Sequence, residues 1–114
     1  MKIYIAGPYS KGDKLDNVNC AIDVAEKLAS QGHYPFIPHL SHFWSLRYEH
    51  DYDFWLDQVK AWLPNCDLLI RMPNESPGAD VEEALAQKLS IRVLKLEDVP
   101  EPLLTISPCP FCGS

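Results

Sequence analysis

Two acids, a small hydroxyl residue and a glycine crowd one stretch of the chain, Ser76-Pro77-Gly78-Ala79-Asp80-Val81-Glu82. A carboxylate in such a place can act as a nucleophile or a general acid–base, while hydroxyl and backbone N–H groups hold an anion. The apolar run Asp67-Leu68-Leu69-Ile70-Arg71-Met72 before it reads as a buried strand, and Val81, Ala84, Leu85 and Leu89 after it read as a helix. The cluster therefore sits at a strand-to-helix turn. In an open α/β sheet such turns lie at the carboxyl ends of the strands, where ligands bind, and the helix start favours an anion such as a phosphate. With Val81 taken as the centre of the apolar face, Glu82 borders that face and Glu83 points away from it, at about 100° per residue. Glu82 is the pocket candidate. The alternative is an ordinary helix start whose acids complement the helix dipole.

The remaining elements read as the frame for this turn. Lys2-Ile3-Tyr4-Ile5-Ala6 is a strand stopped by Gly7-Pro8, and Asp16 or Asn17 caps a helix carrying Val18, Ala21, Ile22, Ala25, Leu28 and Ala29. Cys20, Val24 and Leu28 form a second stripe on that helix, for a subunit contact or for packing within the chain. Tyr34-Pro35-Phe36-Ile37 is an edge strand by virtue of its proline. Residues 38–44 read as a loop rich in aromatic and imidazole groups. Asp51 or Asp53 opens a helix with Trp55, Val59, Trp62 and Leu63 on one face, and Ile91-Arg92-Val93-Leu94-Lys95-Leu96 is the last strand. The order β-α-β-α-β-α-β predicts a doubly wound parallel sheet of four strands and three helices, with the apolar first, third and fourth strands in its interior.

The bulk numbers exclude several classes. A chain of 114 residues makes one domain, and a net charge of −6 with ten scattered basic residues argues against a polymeric nucleic acid partner. No segment has the length of a signal peptide or membrane span, which makes the cytoplasm the default expectation. The turn Gly7-Pro8-Tyr9-Ser10-Lys11-Gly12 matches neither the dinucleotide nor the P-loop pattern, which leaves a nucleoside monophosphate in play but not NAD or ATP. The folded domain is expected over residues 1–96. Residues 97–114 read as a proline-rich tail carrying Cys109 and Cys112, a single CxxC pair. That pair resembles half of a zinc ribbon. Structural zinc needs four ligands, so the tail is taken as unmetallated and no cofactor is expected unless a partner chain or the histidines complete the set.

Ile3-Tyr4-Ile5-Ala6-Gly7-Pro8-Tyr9, Asn65-Cys66-Asp67-Leu68-Leu69-Ile70-Arg71 and Ser76-x-Gly78-x-x-x-Glu82 resemble the nucleoside 2-deoxyribosyltransferase superfamily, nearest its small deoxyribosyltransferase-like and 2′-deoxynucleoside 5′-monophosphate N-glycosidase branches. The resemblance implies a flavodoxin-like fold, a homodimer or larger assembly, and cleavage of the N-glycosidic bond of a deoxyribonucleoside or its 5′-monophosphate. It makes Glu82 a nucleophile at C1′ and Tyr4 the group that holds it. Ser76, with Gly78 and the Gly7-Pro8-Tyr9 turn, would bind the phosphate and sugar, though Pro8 and Ser10 depart from the monophosphate branch. His39 and His42, which follow the second strand, are either base or sugar contacts or plain loop histidines. Phe43 and Trp44 would stack on a base or pack a dimer contact. The superfamily also carries an aspartate that serves as acid or base on the nucleobase, and this chain has Val59 at that position. Asp57 lies close in sequence but on the opposite side of its helix, so it would need a register shift. Asp80 is the other substitute, unless it serves only the helix dipole. The rival to an enzyme is a nucleotide-binding protein of the same fold.

Overall fold

The computed structural model describes residues 1–9 and 12–99, so Ser10 and the tail pair Cys109 and Cys112 lie outside the described residues. Four parallel strands, β1 (Lys2–Ala6), β2 (Tyr34–Phe36), β3 (Leu68–Arg71) and β4 (Arg92–Lys95), form one sheet in the order β2-β1-β3-β4. This is the order of a flavodoxin-like, doubly wound sheet. The central pair runs in register from Ile3 opposite Leu68 to Ala6 opposite Arg71. From β1 the chain goes out to β2 and then crosses back to β3. The carboxyl ends of β1 and β3 thus form the crevice where such folds bind ligands.

The helices are α1 (Lys14–Ser30), α2 (Ser41–Arg47), α3 (Tyr52–Trp62) and α4 (Pro77–Lys88). The expectation of three helices is corrected to four. Pro38–Leu40 is a 3-10 turn leading into α2, where the sequence reads as a loop, because seven residues are too few to display an apolar period. The α1 cap is Asp13, whose carboxylate accepts from the Asp16 N–H, earlier than the Asp16 or Asn17 expected.

Alternate residues of the strands feed two cores, as the period of two requires. Ile3, Ile5, Leu68 and Ile70 face α1 and meet Cys20, Ala21, Val24, Ala25 and Leu28. The Cys20/Val24/Leu28 stripe is therefore packing within the chain and not a subunit surface. On the other face Tyr4, Ala6 and Leu69 meet Leu63 and the α4 residues Ala79 and Ala86, with Val59 of α3 and Phe36 packed at the margin. Burial places β1 and β3 in the interior. β4 is an edge strand whose end residues Arg92 and Lys95 are exposed, a correction to its interior placement. Beyond β4, Leu96–Asp98 forms a 3-10 turn and Val99 packs on the α1-side core. Among the described residues no helix is long and apolar enough to cross a membrane.

Candidate active site

Helix α4 begins at the end of β3 because Ser76 caps it: the Ser76 hydroxyl accepts from the Ala79 N–H at 3.1 Å, and Pro77 supplies a preset first turn. Ser76 is buried. The inward stripe of α4 is Ala79, Glu82, Leu85 and Ala86, a set spanning about 60° either side of Glu82 at about 100° per residue. Val81 is 39% exposed, so the buried face is not centred on Val81 as its hydrophobicity suggests. Two alanines let the helix approach the sheet closely, and Glu82 lies in the middle of that contact rather than at its border.

There Tyr4, with no exposed surface, donates its phenolic hydrogen to Oε2 of Glu82. Burial raises the Glu82 carboxyl from its ordinary 4.5 to about 7, although the Tyr4 hydrogen bond and the Arg71 charge pull it down. Burial, the Glu82 charge and the same hydrogen bond push the Tyr4 phenol far above its ordinary value. Tyr4 is therefore a permanent donor. Its hydrogen bond engages one oxygen of the Glu82 carboxylate, Oε2.

An aromatic column leads outward from this pair. The Tyr4 ring meets Phe36 at 5.5 Å, and Phe36 stacks on Trp62 at 5.5 Å with the planes 21° apart. Trp62 is about half exposed. The sequence offered Phe43 and Trp44 either for stacking on a base or for a dimer contact. Within the chain Trp44 meets His50, Phe54 and Trp55 edge-to-face, and Phe43 lies edge-on to His42. The Phe36–Trp62 pair was hidden because its members come from β2 and the end of α3.

Position 59 packs against the Tyr4 side of the core, whereas Asp57 is exposed. Asp80 is also exposed but engaged, since its carboxylate accepts from Nη1 of Arg71 at 2.7 Å. Glu83 lies 3.8 Å from the same nitrogen, so it does not point straight out into solvent as its phase suggests. Arg71, whose side chain is only 12% exposed, further donates from Nε to the Met72 carbonyl and from Nη2 to the Asn74 carbonyl. The sequence offers no signal for this role beyond the position of Arg71 at the end of a strand.

The β1–α1 turn closes the other side of the crevice. A Cβ on Gly7 would come within 2.6 Å of Met72 Cβ, so only glycine lets the turn lie against the end of β3. Gly78 opens onto empty space at the start of α4. His39 is buried, and its Nε2–H donates to the Pro8 carbonyl at 3.0 Å, which makes it a brace for the turn. Burial lowers its pKa against the opposing effect of the Pro8 and Gly7 backbone. With Pro8, Asn17 and Met72 it lines a cavity of about 10 Å³ on the α1 side, whose wall does not include Glu82. Tyr9 is tethered to α2 through its hydroxyl, 2.7 Å from His42 Nδ1 and 3.4 Å from Ser45 Oγ. Lys14 sits 5.6 Å over the Tyr9 ring.

The structure thus brings Tyr4 and Glu82 into contact, arrays Gly7, Pro8, Tyr9, Ser76 and Gly78 along the strand ends, and leaves Asp57 outside. Among the described residues no three His, Cys, Asp or Glu side chains gather to hold a metal ion. No curated protein matches the chain. A family model described as a domain of unknown function, DUF4406, matches residues 1–95, and the chain belongs to that family.

Proposed function

We propose that this protein cleaves the N-glycosidic bond of a 2′-deoxyribonucleoside or its 5′-monophosphate, with Glu82 as the nucleophile. The observation that carries the reading is the buried Tyr4 hydroxyl hydrogen-bonded to Glu82 in the crevice between β1 and β3. The second Glu82 oxygen attacks C1′ as the bond from C1′ to the base nitrogen breaks, and that nitrogen takes up a proton from solvent water. Water or a second base then attacks C1′ and releases Glu82, as in retaining glycoside cleavage. Tyr4 orients the carboxylate throughout. The half-exposed Trp62 and its partner Phe36 offer a flat apolar wall for the departing base. Ser76, Gly78 and the Gly7-Pro8-Tyr9 turn face the sugar and its 5′ substituent. The exposed rings of Phe43, Trp44, Tyr48 and Tyr52 support a homodimer or larger assembly, and the reading suits a cytoplasmic enzyme.

The nucleophile works as the anion, so base release should rise with pH through about 7 and then level off. A panel of deoxyribonucleosides and monophosphates, assayed for free base with wild type and Glu82→Ala, tests the assignment. Release by wild type that is lost in Glu82→Ala supports it. Equal loss in Glu83→Ala counts against it. A second reading, a nucleotide-binding protein without efficient catalysis, draws on Val59, an apolar group on the Tyr4 side of α3 where an acid would assist the leaving base. Tight binding of a monophosphate without any base release would favour it.

A further inference from the structure

Asp80, Glu82 and Glu83 put three carboxylates into four consecutive residues of α4, an arrangement that repels itself. From the end of β3, Arg71 bonds Asp80, lies 3.8 Å from Glu83, and acts on Glu82 through its charge. We infer that Arg71 is a positioning residue for Glu82: its guanidinium fastens the loop after β3 and the opening turns of α4 to the sheet, which sets Glu82 against Tyr4. The inference rests on the reading of Glu82 as the nucleophile.

The geometry is that of a clamp. Nε holds the Met72 carbonyl, Nη2 holds the Asn74 carbonyl at 3.3 Å, and Nη1 holds Asp80 with Glu83 alongside. Asn74 carries a left-handed backbone angle of 83°, so the loop turns sharply there and needs an anchor. An arginine placed to receive a ligand would keep donors facing open space. This one is largely enclosed, and each of its three nitrogens already has an acceptor within the chain. Lysine, with one compact ammonium, cannot hold three acceptors in this planar arrangement.

Among the described residues the groups facing Glu82 are few. Tyr4 donates to it from β1, the Arg71 charge acts on it from β3, Asp80 and Glu83 flank it on α4, and α3 presents the apolar Val59 toward the same core. Cys66 acts on Tyr4. Removing Arg71 therefore leaves three negative groups with no cation among them, and Glu82 should hold its proton more tightly.

Arg71→Met, Arg71→Lys and Asp80→Asn, made in the full chain, separate charge from clamp. Two readouts apply: the titration of the Glu82 carboxyl by carbon NMR, and the pH profile of base release with kcat and KM resolved. In Arg71→Met the Glu82 midpoint should rise by about one pH unit, with the acid limb of activity following it. In Arg71→Lys the midpoint should return to near its wild-type position while kcat stays about tenfold or more below wild type and KM barely moves. Asp80→Asn, which keeps the arginine, should lower kcat several-fold with little change in KM. A folded Arg71→Met protein with the wild-type Glu82 midpoint overturns the inference. Should Arg71→Met fail to fold, wild-type kcat in both Arg71→Lys and Asp80→Asn overturns it. If wild type releases no base, the proposed reaction fails by that result, and the NMR titration alone still decides whether Arg71 governs Glu82.

Discussion

Replacing Glu82 by glutamine should stabilise the folded protein above pH 7 while abolishing base release. Burial lifts the carboxyl from 4.5 to about 7 in the folded state. In the unfolded chain it titrates near its ordinary value. Between those two values the folded protein keeps a proton that the unfolded chain has already lost. A raised carboxyl pKa thus means that this group favours folding most below 4.5, that the benefit drains away as pH rises, and that nothing further changes above about 7. At about 1.4 kcal/mol per pH unit, the ionised Glu82 costs the fold about 3 kcal/mol on the alkaline side. Glutamine keeps the shape and an oxygen to accept from Tyr4, but its amide N–H groups need partners, which returns part of the gain. The net stabilisation above neutrality should be about 1–3 kcal/mol, roughly 5–20 °C in Tm for a domain of this size. Urea denaturation of both proteins at several pH values from about 4 to 9 reads this directly. The difference between variant and wild type should grow across the window and then plateau. A pH-independent difference, or a wild type that stays the more stable at alkaline pH, would refute the placement of Glu82 in a desolvated site.

Tyr4→Phe removes the donor that helps to ionise Glu82, so the acid limb of base release should move to higher pH and kcat should fall; an unshifted limb would mean that the phenol does not act on Glu82. Gly7→Ala should cost about 1–3 kcal/mol in chemical denaturation, because its Cβ would meet Met72 Cβ, one bond from the backbone and unable to swing aside. Val59→Asp should raise base release about tenfold by supplying an acid on the Tyr4 side of α3, with some loss of stability measured in the same denaturation series. If folded Val59→Asp gains nothing while Asp57→Asn abolishes activity, the leaving-group acid is Asp57 despite its exposure.

Local chemistry made much of the frame legible. The apolar runs at Ile3–Ala6 and Leu68–Ile70 read as buried strands, and the turn at Ser76-Pro77 reads as a helix start, because each depends on residues within a few positions of one another. The alternation of these elements implies a parallel sheet, and its crevice follows from the crossover. The phase of α4 did not follow. Hydrophobicity points to Val81, yet Ala79 and Ala86 face the sheet because a small side chain permits a close approach that a valine would block. Nor did the strand order, since nothing local distinguishes Arg92–Lys95 at an edge from the same residues between neighbours. The pairing of Tyr4 with Glu82 spans 78 positions and was implied by family likeness alone, while the clamp made by Arg71 had no forerunner in the sequence. Composition and period record which faces a segment buries. Which buried atoms meet is decided by how closely two backbones approach, and that depends on side-chain volumes summed across the whole interface.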